Sequence, residues 1–225
     1  MTKQPELETI YSQRFAGREA DRDRVWKVLT HHYFQRWVKP SDTVLDLGAG
    51  YCEFINNIIA SRKIALDLNP ATPLNAARDV QVVPQDVTQT WAVETHSVDV
   101  VFTSNFFEHL PSKQDLSHCL AEIYRVLRPG SRLIALGPNI RFCFDVYWDF
   151  FDHYLPLSDR SLVEASEIAG FETELIIPRF LPFTMHGKAP PPSYLVRWYL
   201  LLPLAWRILG KQFLLVARKH VQRQN

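Results

Sequence analysis

Short apolar runs alternate along the chain with segments whose apolar residues recur at helical spacing. The apolar runs predict strands at 43–47, 63–68, 80–83, 98–103, 132–137, 171–178 and 212–218. Apolar residues three or four positions apart predict helices at 19–38, 52–61, 115–127 and 158–170. Strands that alternate with helices are joined by right-handed crossovers. This order therefore predicts an α/β fold, a doubly wound and mostly parallel sheet with helices on both faces.

The composition agrees with one globular domain and excludes several other classes of protein. The chain has 225 residues, of which 47% are hydrophobic and 22% charged, and it is too apolar to be disordered. Its three cysteines are far apart, which argues against a disulfide framework or a zinc site and predicts reduced thiols. The segment Met1–Arg14 has no apolar signal core. The apolar stretch Trp198–Trp206 is shorter than the roughly 20 residues that a membrane span needs.

Charge is distributed unevenly along the chain. The net charge is +1, which by itself argues against a nucleic-acid-binding protein. All 24 acidic residues lie at or before Glu174, together with 17 basic residues, whereas residues 175–225 hold eight basic residues and no acid. The near-neutral total therefore combines an acidic body with a basic C-terminal segment.

Three aspartates follow successive predicted strands, where a parallel sheet has its ligand-binding edge. Asp46 opens the turn Asp46–Gly50, whose glycines let the backbone approach a ligand without a Cβ in the way. Asp67 ends the next strand, at a position suited to a ribose diol, and Asp86 follows the third strand, where it can meet a purine edge. A turn or cap role is a reasonable alternative for any one of them. Three at successive strand ends favour a nucleoside site.

A dinucleotide site is the main alternative for the glycine turn. That fingerprint requires a third glycine three residues after the second, and here Glu53 follows Gly48 and Gly50 at that position. A carboxylate at a helix start repels a pyrophosphate. A ligand with adenosine and a cationic sulfonium but no phosphate fits better, so a dehydrogenase is the less favoured hypothesis.

Five motifs in order resemble those of class I S-adenosylmethionine-dependent methyltransferases, and the resemblance covers most of the chain. VLDLGAG (44–50) resembles the first motif of the family, LDLN (66–69) its ribose-binding acid and QDV (85–87) the acid near the adenine. VDVVFTSNFFEHL (98–110) is similar to the fourth-strand motif, and RVLRPGSRLIALGPN (125–139) to the segment leading into the fifth strand. One departure is Cys52, which stands where the family usually has a third glycine.

The resemblance implies a Rossmann-like, seven-stranded sheet with an antiparallel last strand, and S-adenosyl-L-methionine as cofactor. The implied cofactor-binding residues lie at the ends of the first four strands: Asp46, Gly48, Ala49, Gly50, Asp67, Leu68, Asp86, Val87 and Asn105. We expect one domain with N-terminal helices in 1–40 and a cofactor-binding core in 41–177. Residues 178–210 would form an acceptor-side insertion or lid, and 211–225 the closing strand and tail.

Candidate catalytic residues lie beyond the fourth and fifth strands. An oxygen or nitrogen acceptor can require a base, and we expect Glu108, His109 and His153 to supply it. A structural role at a helix start is the alternative for His109. Some quinone-biosynthesis O-methyltransferases carry a similar acid–histidine pair preceded by another glutamate and use a divalent metal. Asn105 stands at that earlier position here, so we expect no metal.

The segment 139–154 is rich in acids and aromatic residues. Asp145, Asp149 and Asp152 are spaced four and then three residues apart, which predicts that they share one helix face. A solvated acidic stripe and an acceptor-binding wall ending at His153 are both compatible with this pattern.

Residues 178–210 surround an apolar stretch with aromatic and basic side chains. This composition suits an element lying on anionic lipid, or a lid over a lipid-like acceptor. A helix packed on the sheet with its arginines in water is the alternative, and Pro203 interrupts any single long helix. Nucleic acid is the least favoured partner.

Together the patterns predict an S-adenosylmethionine-dependent methyltransferase that methylates an oxygen of a small-molecule, lipid-linked or saccharide acceptor by in-line transfer. We expect a cytoplasmic protein, with peripheral contact to an anionic membrane through residues 178–211. The alternative hypothesis is a non-catalytic module that binds the cofactor or a membrane surface.

Overall fold

Seven strands form one mixed sheet in the computed structural model, which describes residues 19–183 and 191–221. They are β1 (Thr43–Leu47), β2 (Arg62–Leu66), β3 (Val80–Val83), β4 (Val98–Ser104), β5 (Leu127–Pro138), β6 (Phe171–Ile177) and β7 (Gln212–Lys219). Their order across the sheet is β3-β2-β1-β4-β5-β7-β6. Strands β1–β5 are parallel to one another, and β7 is antiparallel to both β5 and β6. The predicted Rossmann-like sheet with an antiparallel last strand is confirmed.

Helices lie on both faces of this sheet. They are α1 (Glu19–His32), α2 (Glu53–Asn57), α3 (Thr72–Asn75), α4 (Lys113–Val126), α5 (Ile140–Tyr147), α6 (Asp159–Ile168), α7 (Ser193–Leu200) and α8 (Pro203–Leu209), with 3-10 turns at Phe34–Trp37 and Phe107–His109. At the start of α6, Ser158 and Ser161 exchange side chain–backbone hydrogen bonds in a capping box. In the described part of the chain, every helix is too short or too polar to span a membrane.

The predicted helix at 52–61 is shorter in the structure and ends at Asn57. Ile58 has extended backbone angles (φ −77°, ψ 142°). The side chain of Gln35 forms hydrogen bonds with the backbone of Ile59. It donates to the Ile59 carbonyl (3.0 Å) and accepts from the Ile59 N–H (2.9 Å). A glutamine from the preceding segment therefore satisfies groups that a longer helix would have paired internally.

Two apolar layers, one on each face, enclose the sheet. On one face α4 packs its buried side chains, among them Leu120 and Ile123, against the strands. On the other face aromatic side chains of three elements meet, and the Phe54 ring stacks on Phe102 of β4 at 3.6 Å between centroids, with Phe34 beside them. Both layers fix the strands whose ends carry the predicted site residues.

The segment 178–211 connects β6 to β7, and its two ends lie next to each other. Because β6 is antiparallel to β7, the end of β6 and the start of β7 lie at the edge where β1–β5 end, which we call the carboxyl edge. The N–H of Phe180 donates to the Gln212 carbonyl (2.6 Å), and the N–H groups of Lys211 and Gln212 donate to the Leu181 carbonyl (2.8 and 2.9 Å). These bonds close the segment at its base.

Candidate functional site

The turn after β1 brings bare backbone to the carboxyl edge. Gly48 has a φ of +69° and Gly50 a φ of +51°, both in the left-handed region that favours glycine. A Cβ added to Gly48 would lie 2.4 Å from Cδ2 of the Phe106 ring, so this ring packs directly on the glycine backbone. The next left-handed residue is Cys52 (φ 63°), at the position of the missing third glycine. The turn therefore keeps its conformation without that glycine.

Asp67 organises this turn from the end of β2. Its carboxylate accepts hydrogen bonds from the N–H groups of Gly50 and Asn69, both at 2.7 Å. Burial raises the pKa of Asp67, although these backbone donors act in the opposite direction. Asp46 is buried beside it, and burial together with the charges of Asp67 and Glu53 raises the pKa of Asp46.

Two neighbouring carboxyl groups, that of buried Asp46 and that of half-buried Asp67, suit a cationic ligand. Within residues 19–183 and 191–221, no lysine or arginine forms an ion pair with Asp46 or Asp67. Glu53 at the start of α2 does have a cation, the Arg22 guanidinium at 2.7 Å. A negative phosphate is disfavoured beside three carboxyl groups, whereas a sulfonium-bearing nucleoside is compatible with them. The carboxyl groups at this turn therefore fit S-adenosylmethionine.

The other predicted cofactor residues border the same edge in different ways. The Asp86 carboxylate accepts from the N–H and hydroxyl of Thr88, at 2.9 and 2.8 Å. The side chain of Val87 is buried in the core. Asn105 follows β4 with a φ of +50°, and its Oδ1 is buried without a hydrogen-bond partner in the structure. Leu68 is half-buried next to Asp67.

Glu108, His109 and His153 come together, as the hypothesis of a shared catalytic function requires. One ligand-type atom from each lies within 4.8 Å of the other two. The His153 ring stacks on Phe150 at 4.7 Å and meets the His109 ring edge-on at 5.1 Å. The three residues therefore form a cluster, which we call the Glu–His–His cluster.

Hydrogen bonds from the loop after α5 orient this cluster. Nδ1–H of His109 donates to the Asp152 carbonyl at 2.8 Å, and the Asp152 carboxylate lies 3.3 Å from the same nitrogen. Because a carbonyl only accepts, Nδ1 holds the proton of the neutral ring and Nε2 keeps a lone pair. The N–H groups of Tyr154 and Leu155 donate to the Glu108 carbonyl at 2.9 and 3.0 Å, which fastens the loop to the 3-10 turn.

The carboxyl group of Glu108 is the most buried member of the cluster. Burial raises the pKa of Glu108 from 4.5 to about 7, while the charge of His109 acts in the opposite direction. Burial raises the pKa of Asp67, and the charge of His109 is among the contributions that act in the opposite direction. His109 and Asp67 therefore interact electrostatically.

The predicted acidic stripe in 139–154 is wrong. Helix α5 ends at Tyr147, because its backbone is already non-helical at Cys143 (φ −137°) and leaves the helix after one further turn. Asp145 is exposed on α5 and lies 3.6 Å from the Lys211 ammonium, whereas Asp152 is buried in the loop against His109. The three aspartates therefore do not share a helix face.

Sequence reasoning missed the role of Asp152 as the partner of His109. It also missed Tyr147, whose hydroxyl donates to the Leu155 carbonyl at 2.6 Å and holds the loop in place. The DHYLPL run beginning at Asp152 mixes acid, imidazole and aromatic side chains, and this was the available signal. The pairing itself joins residues 43 positions apart and has no periodic signature.

The fold and the carboxyl-edge site define a Rossmann-like protein that binds a nucleoside cofactor. Residues 45–135 match a family model described as "Methyltransferase domain". With the sheet order and the five motifs, this match supports a class I S-adenosylmethionine-dependent methyltransferase and indicates S-adenosylmethionine as the cofactor.

Individual relatives show how far the likeness extends. A demethylmenaquinone methyltransferase of Symbiobacterium thermophilum is 34% identical over 98 residues, which are 38% of this chain and 38% of that protein's length. A SAM-dependent methyltransferase from Archaeoglobus fulgidus has the same fold (TM-score 0.67, 19% identity, 95% of this chain and 99% of that one). The [4+2]-cyclase SpnF also shares it (TM-score 0.61, 17% identity, 90% and 81%). The fold thus supports more than one chemistry, and the acceptor must be argued from the site.

Proposed function

We propose that this chain transfers the methyl group of S-adenosylmethionine to an oxygen of a small-molecule, lipid-linked or saccharide acceptor. The observation that carries the proposal is the Glu–His–His cluster at the carboxyl edge, coupled to Asp67 at the glycine turn. When bound, S-adenosylmethionine supplies an activated methyl group on a sulfonium, and in-line transfer then depends on how both reactants are positioned.

In this proposal the residues at the ends of β1–β4 hold the cofactor. The left-handed glycines Gly48 and Gly50 expose backbone to it, and Asp67, already aligned by two N–H donors, binds the ribose hydroxyls. Asp86, Val87 and Leu68 border the adenine side. Asn105, whose Oδ1 has no hydrogen-bond partner in the structure, accepts from the cofactor or the acceptor.

His109 acts as the base toward the acceptor hydroxyl. Its Nδ1–H is held by the Asp152 carbonyl, which leaves Nε2 to take the proton as the acceptor oxygen attacks the methyl group. The Glu108 carboxylate beside it stabilises the imidazolium that results. With a pKa of about 7, Glu108 is ionised in a large fraction of molecules at neutral pH. His153 and the rings around it form the wall against which the acceptor lies.

Binding and transfer test separate parts of this proposal. We expect isothermal titration to show binding of S-adenosylmethionine and of its demethylated product, and Asp67→Ala to abolish it. His109→Asn should keep cofactor binding and lose methyl transfer by about 100-fold or more, the usual range for a general base. Wild-type protein that bound neither ligand would contradict the proposal.

The acceptor class requires a second experiment. Labelled cofactor incubated with a cell extract, then separated into lipid, polysaccharide, protein and RNA fractions, should label the lipid or polysaccharide fraction. Label confined to RNA or protein would contradict the acceptor class but leave methyl transfer intact. The alternative, a non-catalytic cofactor-binding module, requires cofactor binding without label in any fraction.

A further inference from the structure

Helices α7 and α8 present an apolar patch at the carboxyl edge. Eight large apolar side chains within sixteen consecutive residues are each at least 47% exposed: Tyr194, Leu195, Trp198, Leu201, Leu202, Leu204, Ile208 and Leu209. We call these eight residues the apolar patch. Exposed apolar residues are common singly, but eight of them within sixteen residues indicate an interaction surface.

Contacts on the inner side hold the patch in this orientation. Val196 and Leu200 of α7 are buried against the body of the protein. The Tyr199 hydroxyl donates to the Phe180 carbonyl at 2.6 Å, and Trp206 Nε1 of α8 donates to the Tyr199 carbonyl at 2.8 Å. Pro203 occupies the first turn of α8, where it is well tolerated. The proline therefore starts a second short helix and does not disrupt the surface.

The charged residues of the segment that carries the patch have one sign. Arg197 on α7 and Arg207 on α8 are exposed, and neither forms an ion pair with any residue in the part of the chain that the structure describes. No acidic residue occurs after Glu174, and the segment 175–225 carries eight basic residues. Apolar and aromatic side chains flanked by free arginines complement the interface of an anionic membrane.

The patch adjoins the acceptor side of the site. Arg179 connects the two: its guanidinium donates to the Ile208 carbonyl of α8 at 2.6 Å and lies 4.8 Å from the centre of the Phe142 ring on α5. Past Phe142, α5 and the loop after it expose further aromatic rings, among them Trp148 and Phe151. The same loop carries His153 of the cluster.

We propose that the apolar patch docks this protein on the surface of an anionic phospholipid membrane, with the Glu–His–His cluster facing an acceptor held in that membrane. The part of this inference that concerns the acceptor rests on the proposed function, whereas the docking itself does not. Leucine, isoleucine and tryptophan side chains enter the boundary between headgroups and acyl chains, and the two arginines bind lipid phosphates. A second copy of this chain on the same patch is the competing occupant.

Co-sedimentation with lipid vesicles tests the docking. Wild-type protein should pellet with vesicles of phosphatidylcholine and phosphatidylglycerol, and much less with phosphatidylcholine alone. The double variant Leu204→Ser/Ile208→Ser should lower partitioning by about tenfold or more, because it removes two exposed aliphatic side chains that would enter the membrane. Arg197→Gln/Arg207→Gln should lower it on the anionic vesicles and remove part of its salt dependence.

Matched controls come from exposed apolar residues elsewhere. Leu74 (85% exposed) and Ile168 (81% exposed) lie outside the patch, so Leu74→Ser/Ile168→Ser should partition like the wild type. Wild-type protein that stays in the supernatant, or equal partitioning of both serine double variants, would overturn the proposal. So would a dimer in sedimentation velocity that Leu204→Ser/Ile208→Ser dissociates, because the patch would then bind a second copy. Cofactor titration on every variant shows whether the methyltransferase site is intact, independently of docking.

Discussion

Replacing Glu108 with glutamine should stabilise the protein in the absence of cofactor. Burial raises the pKa of Glu108 from 4.5 to about 7, and a tenfold shift in a protonation equilibrium corresponds to about 1.4 kcal/mol, so ionising this group costs the folded state roughly 3 kcal/mol. The folded-state pKa lies above the unfolded value. The free energy of unfolding therefore falls as the pH rises from about 4.5 to about 7, and the full cost is present above that range.

Urea denaturation of the apo protein measures this effect. At about pH 8 we expect Glu108→Gln to raise the free energy of unfolding by up to about 3 kcal/mol, with little difference between the proteins below about pH 4.5. Glu164→Gln, on the exposed side of α6, is the matched control and should leave the pH dependence unchanged. The reasoning is refuted if Glu108→Gln is equally or less stable than the wild type at the higher pH. The carboxylate would then be stabilised where it lies.

The remaining predictions concern cofactor and proton transfer. Gly48→Ala, whose Cβ would meet the Phe106 ring, should weaken cofactor binding at least tenfold in isothermal titration. Gly130→Ala, also at positive φ but remote from the site, should destabilise by about 1–3 kcal/mol and leave affinity unchanged. The rate of methyl transfer should rise with pH through about 7 as Glu108 ionises, and Glu108→Gln should lose the contribution of Glu108 to this rise; a pH profile identical to that of the wild type would exclude Glu108. Activity should survive treatment with a chelator, because His109 can take the proton without a metal. Loss of activity restored by a divalent ion would assign the cluster to a metal instead.

The strands, and the position of the glycine turn and its aspartates at one edge of the sheet, could be predicted from sequence because both depend on local patterns. A buried strand, a glycine turn and an aspartate at the strand end lie within a few residues, and a parallel sheet brings successive strand ends to one edge. The contact between His109 and Asp152 could not be predicted in the same way. This contact depends on where α5 ends. The helix is irregular at Cys143, and the sequence there has no proline or glycine that would predict this.

The C-terminal helices show a different limit of sequence reasoning. Pro203 argues against one long amphipathic helix, and the structure indeed has a separate helix that begins at this proline. Two short helices joined at the proline present the same apolar residues, because Val196, Leu200 and the hydroxyl of Tyr199 fix them to the body. Which side chains remain exposed is decided by these tertiary contacts, and a hydrophobicity pattern alone does not contain them.

The closed base of residues 178–211 has a consequence for how such enzymes diversify. Phe180 and Leu181 are hydrogen-bonded to Lys211 and Gln212, so the chain between them begins and ends at two fixed neighbouring points. Whatever lies between these points can change in length and composition while the strands keep their register, since closing a longer loop costs little free energy. We therefore expect that this segment can be replaced by another without a change in the sheet. We expect a chain with a different segment between these two points to keep the register of β6 and β7.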